Sequence, residues 1–205
     1  MLIISSKMSQ KKNSIGITGG IGSGKTYICH LLEQRGIPVF YTDYEAKQEM
    51  LENRQLQKKL SDLTGSPIIL SDGTLNKALL SAYIAQGEQY ARHVDALVHP
   101  ATRRRMRQWL KAQTCPVVAV ECALLFESGY NEDVDYAIAV TAPEEVKIAR
   151  VMNRDGHSRE HVLRIMALQL TDAERAAKAD GVIVSDGMQP LEPQIDHLLH
   201  SITSK

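Results

Sequence analysis

One octapeptide limits this 205-residue chain more than any other feature: Gly19-Gly20-Ile21-Gly22-Ser23-Gly24-Lys25-Thr26, which fits the pattern G-x-x-x-x-G-K-[ST]. Glycine tolerates positive φ and has no Cβ, so a backbone rich in it can curl closely around phosphate oxygens with its amides turned toward them. The helix that such a loop opens adds the positive end of its dipole. Lys25 then places a full charge at the β- and γ-phosphates, and the Thr26 hydroxyl is a ligand for Mg²⁺. The pattern has this meaning only between a strand and a helix. Ile15-Gly16-Ile17-Thr18 reads as the strand, and Ile28, Leu31 and Leu32 at helical spacing predict a helix over about 25–35, ended by Gly36.

Beyond the loop, short β-rich runs alternate with longer amphipathic segments, the signature of a parallel sheet wrapped by helices. Strands are expected at 15–18, 37–41, 117–121, 136–141 and 182–185. Between 43 and 114 no buried strand is legible, and Val94, Leu97, Val98, Ala101, Met106, Trp109 and Leu110 recur at three- and four-residue steps. This stretch reads as a helical insertion with a kink or restart at His99-Pro100, and with a loop and short extended piece over 66–74. A helix from Pro143 to about Asn153 gives way at Asp155-Gly156 before another starts near Ser158. Leu191, Ile195, Leu198, Leu199 and Ile202 build a last helix. The expected organisation is a flexible tail over 1–13, with Met8 as an alternative start, followed by one domain over 14–205. Within it a nucleotide-binding core takes about 14–42, 115–150 and 180–205, the helical insertion about 43–114, and a lid about 150–170.

Composition narrows the function classes. Lys plus Arg and Asp plus Glu each total 24, so no net charge draws the chain onto nucleic acid or an anionic membrane. Cys29, Cys115 and Cys122 are odd in number, lie in apolar stretches and show no metal spacing, which makes them reduced core residues. No apolar run reaches the eighteen or so residues that a membrane span needs. A cytoplasmic enzyme is the expectation.

Other residues carry chemistry by position. Asp43 follows the second strand, at the sheet edge where α/β proteins bind ligands, and serves there either as a carboxylate facing the phosphate loop or as the N-cap of a helix from Tyr44. Arg150 and Arg154 precede the Asp155-Gly156 break and read as lid residues ahead of a solvated helix face, because arginine on a closing lid neutralises charge on a phosphoryl group in transfer. Arg159 reads equally as lid or as solvated face. His157 and His161 lack a third metal ligand and read as exposed helix residues. Arg103, Arg104, Arg105 and Arg107 face either an anion or solvent. A GTP-binding switch is disfavoured, because Asn76-Lys77-Ala78-Leu79 lacks the Asp of N-K-x-D and Asp62-Leu63-Thr64-Gly65 follows a helical stretch rather than a strand.

Several further runs, taken with the loop, resemble the dephospho-coenzyme A kinase family from Ser14 to the last helix. They are Gly36-Ile37-Pro38-Val39 leading to Asp43, Leu75-Asn76-Lys77, His99-Pro100, Leu124-Leu125-Phe126-Glu127, Arg150 with Arg154, Gln169, Arg175 and Ala179-Asp180. The resemblance implies an α/β P-loop kinase fold: a five-stranded parallel sheet flanked by helices, with a helical substrate-binding insertion and a lid. It implies transfer of the γ-phosphoryl of ATP to the ribose 3′-hydroxyl of dephospho-coenzyme A, giving coenzyme A and ADP, with Mg²⁺ required. By the same mapping Gly20, Ile21, Gly22, Ser23, Gly24, Lys25, Thr26 and Tyr27 bind the nucleotide, and Thr26 the metal. Asp43, Lys25, Arg150 and Arg154 are the catalytic candidates, and Asp43, Lys77, His99, Leu125 and Glu127 the substrate-binding ones. The implied partner is the small-molecule substrate, with no nucleic acid and no membrane, on a monomer or weak homo-oligomer. This chain departs from the family with Tyr41 and Lys77 where many members have Asp and Arg, Ala123 for a proline, and Thr26 for a loop Ser. Another P-loop kinase, for a nucleoside monophosphate, shikimate or a sugar acid, is the alternative, and the segment with His99-Pro100 tells against it.

Overall fold

The computed structural model describes residues 12–204. The expected tail and the alternative start at Met8 lie outside them, except for Lys12 and Asn13, and Asn13 already belongs to the first strand. In chain order the elements are β1 (Asn13–Thr18), α1 (Lys25–Gln34), β2 (Val39–Tyr41), α2 (Thr42–Glu52), α3 (Arg54–Thr64), α4 (Lys77–Ile84) and α5 (Glu88–Ala112). There follow β3 (Val117–Glu121), a 3₁₀ turn (Tyr130–Asp133), β4 (Tyr136–Thr141), α6 (Glu144–Asp155), α7 (Arg159–Ala167), α8 (Asp172–Lys178), β5 (Gly181–Val184) and α9 (Leu191–Thr203).

The five strands form one sheet of order β2-β3-β1-β4-β5. β1 is buried throughout and pairs in parallel with β3, Ile15 opposite Ala119 and Ile17 opposite Glu121, and with β4, Ile15 opposite Tyr136 and Thr18 opposite Ala139. β3 is buried at every residue, as a strand covered on both faces requires. Because chain order reverses on either side of β1, a crevice opens beyond its carboxyl end, where α/β sheets bind ligands. β2 starts later than the run 37–41 suggested. Pro38 has no N–H to give a ladder, although its carbonyl accepts from the Ala119 amide at 2.9 Å.

The chain divides into two compact units: the described residues up to Val39 together with those from Gln113 onward, and Phe40–Ala112. The second unit is helical around Leu56, Leu60, Ile68, Leu80, Val94, Val98 and Ala101, and Phe40 stacks on Trp109 at 5.4 Å between ring centroids. An isolated bridge between Ile69 and Leu75 is the short extended piece of 66–74. Of the kink or restart expected at His99-Pro100, the restart does not occur, since α5 runs through Pro100. Val98, Ala101 and Thr102 are buried on either side of the proline, and the Thr102 hydroxyl donates to the Val98 carbonyl at 3.1 Å, so packing holds the turn that proline weakens. Asn76 caps α4 through the Leu79 amide, and Gly65 at φ +75° ends α3, which explains both fragments of apparent GTPase motif. Arg105 ties α5 to α2 by pairing with Glu45 and Glu52, with Glu49 at 3.6 Å, and so takes neither of the two roles open to it.

The first unit contains α8, an element that the sequence reading did not identify. Its signal was present as Thr171-x-x-Glu174, and the structure forms the full capping box. The three cysteines are free, Cys29 and Cys122 buried and Cys115 half-buried, and burial pushes the Cys29 thiol well above its ordinary range.

Candidate active site

The loop between β1 and α1 gets its shape from its glycines. A Cβ on Gly19 would lie 2.5 Å from both the Ser23 hydroxyl and the Val140 carbonyl, and one on Gly22 would lie 2.5 Å from the Lys147 carbonyl. Gly22 and Gly24 have φ of +76° and +97°. Gly24 occupies the N-cap of α1, where no side chain caps the helix and no acid stands in its first turn, so the leading amides are left to an anion. Lys25 folds over the loop, its ammonium 3.5 Å from the Gly20 carbonyl, while Thr26 and Tyr27 are exposed beside it. Gly22→Ala combines a φ that alanine resists with a clash against backbone. It is expected to cost about 1–3 kcal/mol of stability and to weaken ATP binding, read by thermal unfolding and nucleotide titration.

Arg150 reaches the loop from α6, with Nη1 3.4 Å from the carbonyls of Gly22 and Ser23 and from the Ser185 hydroxyl. It lines a cleft of about 220 Å³ with Gly24, Lys25, Thr26, Tyr27 and Arg154. Arg154 lies exposed, bound in a fork to Asp155 at 2.8 Å through two nitrogens, and Arg159 pairs with Glu145. The structure thus brings Arg150 and Arg154 to the loop with Lys25 and Thr26, and gives Arg159 a partner of its own. Gly156 at φ +69° ends α6, and Ser158 caps α7 through the His161 amide. These two helices share a small core of Ile148, Val151 and Val162, against which Ile21 of the loop packs.

The opposite side of the loop meets the connection between α7 and α8. Gln169 Oε1 accepts from the Ile21 amide at 2.9 Å, and a cleft of about 530 Å³ runs from Gly20 and Ile21 to Lys147, Gln169, Asp172 and Arg175. Lys147 is 7% exposed and pairs with Asp172 at 2.8 Å. Glu127 Oε1 lies 3.6 Å from Arg175 Nη2. Leu125, expected to touch substrate, is wholly buried, and its two Cδ atoms fill the space that a Cβ on Gly16 would need, so its side chain belongs to the core. Glu121, not singled out from the sequence, is a buried acid ending the strand beside β1. A carboxylate closing an apolar strand next to the loop strand was the available signal.

In the second unit, Asp43 is exposed in the first turn of α2, and its carboxylate makes no hydrogen bond or ion pair among the described residues. Tyr41 holds the N-cap position, and its side chain does not cap the helix. The option of Asp43 as N-cap therefore falls away, because the helix starts at Thr42 rather than at Tyr44. Lys77 is exposed at the first position of α4, and His99 lies half-buried on α5 with Nε2 3.6 Å from Asp95.

Comparison with known proteins decides among the kinases that such a loop permits. The family model for dephospho-CoA kinase matches residues 13–190. A dephospho-CoA kinase of Bacteroides fragilis is 38% identical over 192 residues, 93% of each chain. The chain belongs to the dephospho-CoA kinase family. Among solved structures, one from Thermus thermophilus superposes with a TM-score of 0.80 at 32% identity, covering 94% of this chain and 98% of the other. The fold is shared with a dephospho-CoA kinase from Campylobacter jejuni, TM-score 0.68 at 21% identity over 94% and 98% of the two chains. Membership makes this chain a kinase that uses ATP to phosphorylate the ribose 3′-hydroxyl of dephospho-CoA, the last step of coenzyme A synthesis. Of the departures from the family, Ala123 keeps a structural part without the proline ring, its carbonyl accepting from the Thr18 hydroxyl at 3.2 Å. Thr26 keeps the hydroxyl. Among the described residues no helix is long and apolar enough to cross a membrane.

Proposed function

We propose that the reaction runs on a division of labour between the two units. In the first, the loop amides of residues 20–27 hold the ATP phosphates and Lys25 stabilises charge on the γ-phosphoryl as it leaves. The observation that carries this is the uncapped N-terminus of α1, with Lys25 folded over a loop whose glycines leave no room for side chains. The Thr26 hydroxyl and the Glu121 carboxylate are the oxygen donors suited to Mg²⁺, which takes hard oxygen ligands and keeps water on its remaining positions. When bound, the ion supplies charge neutralisation at the phosphates.

In the second unit, Asp43 orients the acceptor hydroxyl and takes its proton. Its exposed carboxylate is committed to no partner among the described residues, which supports that role. Lys77 and His99 bind the acceptor from the same helical unit, the CoA-binding part of the chain, and Glu127 does so from the first unit. A transition state with little nucleophile bonding asks Asp43 mainly for orientation. The protein acts in the cytoplasm, where ATP is supplied, as a monomer or weak homo-oligomer. Mixing the purified chain with Mg-ATP and, in turn, dephospho-CoA, a nucleoside monophosphate, shikimate and gluconate tests the acceptor. ADP release is expected with dephospho-CoA alone, and equal release with another acceptor would reject that choice.

Residues of about 150–170 form a lid carrying Arg150 and Arg154. Among the described residues the segment buries Val151 and Val162 in a small core with Ile148, so it opens at low free energy, and closure on nucleotide should stabilise it. Hydrogen exchange over 150–165 is expected to slow when ATP is added. Equal exchange with and without nucleotide would argue for a static segment.

A further inference from the structure

Arg175 is the most deeply buried cation among the described residues, 1% exposed, and it borders the 530 Å³ cleft beside the phosphate loop. Burial of a guanidinium is tolerated when all its N–H groups are bonded and its charge is matched. Here the first condition is not met, and the carboxylates that balance the charge stand off from it. Nη1 donates to the Leu170 carbonyl, while Nε and Nη2 have no hydrogen-bond partner. The nearest carboxylates are Glu127 Oε1 at 3.6 Å from Nη2 and Asp172 Oδ1 at 3.9 Å from Nη1, both beyond hydrogen-bond reach. Asp172 is moreover already committed to Lys147 at 2.8 Å. Desolvation acts against the charged form of Arg175, so the site holds a cation that its own protein neighbours leave under-compensated.

The place of this cation is specific. A Cβ on Gly20 would lie 3.4 Å from Arg175 Nη1 and 3.5 Å from Gln169 Oε1, so the second glycine of the loop is what lets the guanidinium approach. Two consecutive residues bring oxygens to the same corner. Gln169 Oε1 takes the Ile21 amide and the Leu170 carbonyl takes Arg175 Nη1. An amide of the phosphate loop and an arginine are therefore held side by side, each on an oxygen of the α7–α8 connection. An anionic oxygen is the group that could serve both.

We propose that Arg175 is a further catalytic residue of the phosphoryl transfer, contacting the oxygens of the γ-phosphoryl group from the side of Gly20 while Gln169 and Leu170 hold the place of that contact. Arg175 moves no proton. It neutralises charge that the transferring group carries, and a planar fork with free donors is suited to several oxygens at once. Glu127 orients the guanidinium through charge without consuming an N–H.

The inference rests on the assignment of the phosphate loop as the ATP site, and the test separates the two. Dissociation constants of Mg-ADP and of a non-hydrolysable Mg-ATP analogue are measured for wild type, Arg175→Met and Arg175→Lys, together with kcat and thermal stability. In Arg175→Met, kcat is expected to fall by about 10²–10³-fold, and the preference for the ATP analogue over ADP to drop at least about tenfold with ADP affinity kept. Arg175→Lys keeps the charge without the fork and should lie between the two. A purely structural strut would weaken both nucleotides alike, and an unchanged ratio in either folded variant overturns the proposal. Should the methionine variant fail to fold, the wild-type protein still decides. The ¹⁵N resonance of the buried Arg175 Nε–H should move on adding the ATP analogue and stay put with ADP, and an equal response to both overturns the proposal. Wild type that binds neither nucleotide would remove the ATP-site assignment and this inference with it.

Discussion

Lys25→Ala is expected to lower kcat by about 10³-fold or more while the protein stays folded. The side chain lies over the loop with its ammonium 3.5 Å from the Gly20 carbonyl and stands outside the buried core, so its removal should leave the melting temperature within a few degrees of wild type. The catalytic cost has a different origin. Phosphoryl transfer leaves the protein little covalent chemistry to perform, and rate comes from charges fixed in place before the reaction. In this loop the partial charges of the α1 amides remain after the substitution, but the one full charge on the loop does not. Nucleotide affinity should fall less than kcat, because amide contacts to the phosphates survive. Steady-state kinetics alongside nucleotide titration read both. A variant with near-normal kcat would remove Lys25 from the mechanism and the loop from the active site.

Asp43→Asn is expected to cut kcat by about 10²–10⁴-fold, with ATP affinity nearly unchanged. Asp43 lies inside the first turn of α2 and is not its cap, so its carboxylate has no bond among the described residues to lose on substitution. What it loses is a negative charge near the N-terminus of a helix, a small effect at an exposed position, and Glu45 remains in the same turn. Stability should therefore stay close to wild type while turnover collapses. A fully active Asp43→Asn enzyme would leave the acceptor hydroxyl without its proposed base. A strongly destabilised one would assign Asp43 to folding instead. Measuring kcat, ATP affinity and melting temperature on one preparation keeps these outcomes apart.

The phosphate loop and its flanks were written locally. Eight contiguous residues fixed the loop, and the flanking helix falls at Lys25–Gln34 because its apolar spacing and Gly36 are neighbours in sequence. β3 and β4 coincide with the expected 117–121 and 136–141, since each is an apolar run bounded by turn residues. The two helices around Asp155-Gly156 were equally plain, with Gly156 in the left-handed conformation that ends the first and Ser158 capping the second.

Other features depend on contacts between residues far apart in the chain, and these the tertiary structure decided. Pro100 stays inside α5 because the core formed with Leu56, Leu60, Ile68 and Leu80 holds the helix on both sides of it. Leu125 turned out to be core because it packs under Gly16, more than a hundred residues earlier. The sequence by itself determined that a phosphate-binding loop joins a central strand to a helix, because glycine, lysine and threonine at that spacing have one physical use. Only the tertiary structure decided what surrounds the loop. The Ile21 amide meets Gln169 across 148 residues, and Arg175 reaches the same corner from a helix whose sequence shows only its cap. Side chains converge there through packing of α6, α7 and α8 on the first strand's loop, and no periodicity or local motif records which distant residues a folded chain will bring together.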